Sequence, residues 1–140
     1  MDIPEHLWRY KTRAAIDALA SRFELPNRPN MQDWEWEVAD PARLDEFLTA
    51  YESGELSDDE RFTLMETVIQ SFEDLGPRLE LDRRWQHVLE ILDRNIDLHA
   101  YSVWYWAALD AETPDEQFRV ASSIRRVLAM HQSRIETKPS

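Results

Sequence analysis

Apolar residues recur every three or four positions along most of this chain, the spacing that lines one face of an α-helix. From residue 4 to 24, Leu7, Trp8, Ala14, Ala15, Ala18, Leu19 and Phe23 form such a stripe, with Pro4 suited to a first turn, so a helix is expected over 4–24. "ELPNRPNMQ", residues 24 to 32, then brings two prolines and two asparagines, which interrupt helix and favour turns. A loop is expected near residues 25–39. "DPARLDEFLTAYESG" restarts the helical pattern with Asp40 as N-cap, Pro41 in the first turn, apolar Leu44, Phe47, Leu48 and Tyr51, and a stop at Gly54. "SDDE", Ser57 to Glu60, fits a capping box, in which hydroxyl and carboxylate each satisfy an orphan amide of the helix start. Phe62, Met65, Ile69 and Phe72 line the helix that follows, until Gly76-Pro77 ends it.

The same spacing runs through Leu81, Trp85, Val88, Leu89 and Leu92 from about residue 79 to 94. It resumes after "NID" through Leu98, Tyr101, Trp104, Tyr105, Ala108 and Leu109. "TPDE", Thr113 to Glu116, repeats the capping-box pattern before a last helix carrying Phe118, Ala121, Ile124 and Leu128. The polar stretch after His131 is expected to fray, so 132–140 reads as a tail. With about six helices joined by short connections, the expected fold is all-α: a single-domain antiparallel bundle over 1–131 with one longer loop near 25–39. Only two glycines are present, too few to build hairpins or phosphate-cradling loops readily.

Composition narrows the class further. A chain of 140 residues suffices for one core without staples, and 43% hydrophobic residues set it apart from disordered chains despite a net charge of −12. Without cysteine there is no disulfide framework, thiolate metal site or Cys nucleophile. The first residues, "MDIPEHLWRYK", carry acids where a signal peptide is basic, and nothing approaches about 18 consecutive apolar residues. A cytoplasmic protein with no membrane partner is the expectation.

The charge is concentrated. Residues 31–60 hold 11 acidic and 1 basic side chain, a net of −10. Such a field repels phosphate backbones, so nucleic acid is not an expected partner, whereas a basic protein would be drawn in. A face kept acidic for solubility is the competing explanation.

Specific chemistry is scarce. His6, His87, His99 and His131 lie far apart, outside HExxH or Glu-x-x-His spacings, and Asp97 and His99 are too close along a helix to share a face. Adjacent carboxylates such as Asp58, Asp59 and Glu60 lack the opposed environments that acid-base pairs need, and no GxSxG elbow occurs. Catalytic residues, metal ligands and cofactors are therefore all expected to be none; an enzyme using His87 or His99 with nearby carboxylates is the weakest reading.

Two aromatic stretches remain. In "DWEWE" the alternation has period two, so an extended loop would put Trp34 and Trp36 on one side and Asp33, Glu35 and Glu37 on the other. Either both tryptophans plug into the bundle with the acids outward, or at least one stays exposed to anchor a basic partner. On the second reading the partner-binding set is Asp33, Trp34, Glu35, Trp36, Glu37, Asp58 and Asp59. In "YSVWYWAALD", Trp104, Tyr105 and Trp106 cover too wide an arc for all to face one core, and one of them could anchor a homodimer.

From "MQDWEWEVADPARLDEFLTAYESGELSDDERFTLMETVIQSFEDL" into "WQHVLEILDRNIDLHAYSVWYWA", the chain resembles small acidic all-helical bacterial proteins and is similar to immunity proteins of polymorphic or contact-dependent toxin systems. The resemblance covers most of the chain but has no diagnostic motif, so it assigns no functional residue. It implies a bacterial cytoplasmic protein that binds one basic toxin domain stoichiometrically. The alternative is a non-catalytic helical adaptor or homodimeric subunit.

Overall fold

The computed structural model describes residues 3–111 and 118–138, and within them all regular structure is helical. The fold is all-α, as the periodicity predicts. The chain divides into two compact units, Tyr10–Leu75 and Met1–Arg9 with Gly76–Ser140.

The Tyr10–Leu75 unit contains α1 (Arg13–Phe23), the single turn α2 (Trp34–Glu37), a 3-10 turn Pro41–Arg43 leading into α3 (Leu44–Tyr51), and α4 (Asp58–Leu75). α1, α2 and α3 all pack against α4. Elements on several sides explain why ten of its residues, among them Phe62, Met65, Val68, Ile69 and Phe72, are buried. The capping box forms as read: the Ser57 amide donates to Glu60 Oε1 at 2.8 Å and the Glu60 amide to Ser57 Oγ at 3.1 Å. Asp40 accepts from the Ala42 amide at 3.0 Å, with Pro41 behind it.

The first helix is shorter than expected. Residues 5–7 make an isolated 3-10 turn, and α1 begins only at Arg13, where Thr12 accepts from the Ala15 amide at 3.1 Å. Trp8, expected in the stripe, is half exposed. The start is fixed by the Thr12 cap, which the apolar spacing upstream outweighed in the sequence. α1 ends on Glu24, whose φ of 55° lies in the left-handed region, with the Leu25 amide bonded to Ala20 O at 2.9 Å. Arg43 Nη2 donates to Phe23 O at 2.7 Å, placing a cation at the negative end of that helix.

The second unit has 3-10 turns at Glu5–Leu7 and Pro77–Leu81, and helices α5 (Arg83–Arg94), α6 (Ile96–Trp106) and α7 (Ala121–Glu136). α7 packs on α5 and α6, which also pack on each other. Gly76 adopts φ +99°, a conformation only glycine takes readily, and this lets the chain leave α4. Residues 79–82 turn instead of starting α5, so Leu81 is left 84% exposed and Asp82 becomes the N-cap. Asn95 holds the N-cap position of α6 without a side-chain cap bond, and Asp97, in the first turn, pairs with Arg134 at 3.0 Å.

The C-terminal helix does not fray at 132. α7 continues to Glu136 because Ile135 is buried and its carbonyl lies 2.7 Å from His6 Nε2. Arg125 closes the end of α6, donating from Nε to Ala107 O and from Nη2 to Ala108 O, both at 2.6 Å. The expected capping box at Thr113 to Glu116 lies outside the described residues.

Asp82 makes this unit sensitive to acid. Its carboxylate takes the Arg84 guanidinium at 3.0 and 2.7 Å and the Arg84 amide at 2.8 Å, and the Arg84 hydrogen bonds hold it below the usual Asp range. With a depressed folded-state pKa, its stabilisation is present above the unfolded value of about 3.9 and disappears as pH falls through the folded one. Asp82→Asn is therefore expected to cost about 1 kcal/mol at pH 7 and progressively less as pH falls below about 3.9, measured by urea unfolding across that range.

Candidate functional site

The charge follows the units. Tyr10–Leu75 holds 6 Lys and Arg against 16 Asp and Glu, a net of −10, while the remainder of the chain holds 10 against 12, a net of −2. The unit that carries "DWEWE" is thus also the acidic one.

The stretch is a helical turn, not an extended loop. The amides of Trp36 and Glu37 bond to Asp33 O at 2.9 Å and that of Val38 to Trp34 O at 3.1 Å, so the period-two alternation no longer sorts the side chains. Trp34 is buried at 2% exposure, and its indole N–H donates to Pro26 O at 2.6 Å, pinning the proline-rich loop to the turn. Trp36 is half-buried. Glu35, expected outward, is only 5% exposed: Lys11 Nζ donates to Oε1 at 3.1 Å, and Thr67 Oγ1 donates to its carbonyl at 2.6 Å. Its other carboxylate oxygen, Oε2, is buried with no hydrogen-bond partner. The reason is tertiary, since the turn must lay one side on α4 and Glu35 falls there with a lysine at hand.

Asp33 and Glu37 remain exposed, the Asp33 amide donating to Glu37 Oε2 at 3.2 Å. Asp58 and Asp59 are exposed in the first turn of α4, where negative charge suits the helix dipole; Asp58 also pairs with Arg61. The two pairs do not form one cluster. α2 meets α4 at Thr67, eight residues and so about 12 Å along the axis from Asp59. Asp58 and Asp59 thus sit at the start of α4, while Asp33 and Glu37 bound the α2 turn that packs farther along it.

Further acids flank α3. Glu55 pairs with Arg22 at 3.1 Å, and Glu46 takes the Arg43 fork at 2.9 and 2.7 Å, which holds the Glu46 carboxyl below the usual carboxylate range. Arg43 also lies 5.9 and 5.7 Å from the ring centres of Phe23 and Phe47. Neither Lys11 nor Arg43 was legible as part of a site, because each reaches its partners through the fold.

The histidines have separate surroundings. His99 is fully buried, His87 Nδ1 lies 3.8 Å from Glu90, and His131 Nε2 lies 2.6 Å from Asp93 Oδ1, linking α7 to α5. Among the described residues no group of three or more His, Asp or Glu is placed to hold a metal ion, and no helix is long and apolar enough to cross a membrane. Trp104 and Trp106 are both buried, with Phe118 4.6 Å from Trp106, which leaves Tyr105 as the half-exposed ring of the trio. No family model, curated protein or solved structure matches the chain.

Proposed function

We propose that the protein is a stoichiometric protein-binding inhibitor of the immunity type, acting in the bacterial cytoplasm on a basic toxin domain. The observation that carries this reading is the net charge of −10 on one compact unit, with Asp33, Glu37, Asp58 and Asp59 exposed on it. Such a field raises the encounter rate with a basic protein and repels acidic ones. Trp34 and Glu35 serve as scaffold in this reading, and Trp36 is the tryptophan nearer the surface. In the alternative, a homodimeric adaptor, Tyr105 is the ring of the trio left to anchor the contact, since Trp104 and Trp106 are interior.

The test starts with a basic protein captured from the source cells at low salt and then purified. Titration calorimetry should give one site per chain, and the partner's activity should stop at one equivalent. Asp33→Lys with Glu37→Lys should slow association several-fold at about 50 mM salt and converge with wild type at about 500 mM, since screening removes steering. An unchanged association rate at low salt rules out this face, and a dimer by light scattering without any partner favours the adaptor.

A further inference from the structure

We draw no further inference here: the strongest candidate, the knob that Leu81 forms at 84% exposure on the Pro77–Leu81 turn, is a single apolar side chain of the kind common on protein surfaces, and nothing in the structure shows what covers it.

Discussion

Replacing Trp34 by alanine should destabilise the Tyr10–Leu75 unit by about 3–5 kcal/mol, the range for emptying a buried aromatic site. The indole is 2% exposed and donates to Pro26 O at 2.6 Å, so the substitution opens a cavity and also orphans a loop carbonyl. Trp34→Phe separates the two effects: it keeps most of the volume, loses the donor, and should cost about 1–2 kcal/mol. Urea unfolding with hydrogen exchange read on α1 and α4 measures both. A loss below about 1 kcal/mol for Trp34→Ala would show that the indole is not holding the loop, and would return it to the candidate contact surface. The expected loss also bears on binding experiments. A Trp34→Ala variant that no longer captures a partner reports a damaged fold, whereas Trp36, half-buried, is the tryptophan whose replacement can report on contact.

Local signals read well in this chain where the chemistry is short-range. Ser57 and Glu60 form the reciprocal cap their spacing implies, Asp40 with Pro41 starts the α3 region, and Gly76 ends α4. Each depends on residues within four positions, and backbone hydrogen-bond geometry leaves few alternatives. Period alone misleads where it points an apolar residue inward outside a helix. Trp8 and Leu81 match a helical stripe, yet each falls before the helix start, because Thr12 and Asp82 are the true caps. The end of α1 gave no glycine signal, since Glu24 takes the left-handed position itself. Ile135 shows the converse: a polar-looking tail is kept helical by one buried side chain and a distant histidine.

The candidate site was legible as charge but not as geometry. Counting acids located the −10 block, and it remains the feature on which the function rests. What the alternation in "DWEWE" could not convey is that a four-residue turn is too short for periodicity to decide, and that Pro26, Lys11 and Thr67 set which side chains go in. Likewise Trp104 and Trp106 are both interior because α6 packs against α5 and α7 and so buries a wide arc of its surface. A single-face picture of the helix underestimates that arc.

The buried end of the acidic stretch yields the other large expected effect. Lys11→Met should destabilise the unit by about 2–4 kcal/mol, because it strands the Glu35 carboxylate in a place where one oxygen already has no hydrogen-bond partner. The range sits below that of a fully buried pair, since the Lys11 side chain is 32% exposed and water reaches it. Glu35→Leu alone should cost less than Lys11→Met, because the lysine it leaves can turn to solvent while the backbone bond from Thr67 survives. The double variant should then recover most of the loss of Lys11→Met, as replacing both members removes the desolvated charge along with its partner. Urea midpoints for the four proteins close the cycle, and single-variant losses that merely add would show that the pair is not coupled. Binding supplies the functional half of the test. If Glu35 is scaffold, the double variant should associate with a basic partner at the wild-type rate in low salt, its net charge being unchanged, whereas a several-fold slower association would put Glu35 back among the contact residues.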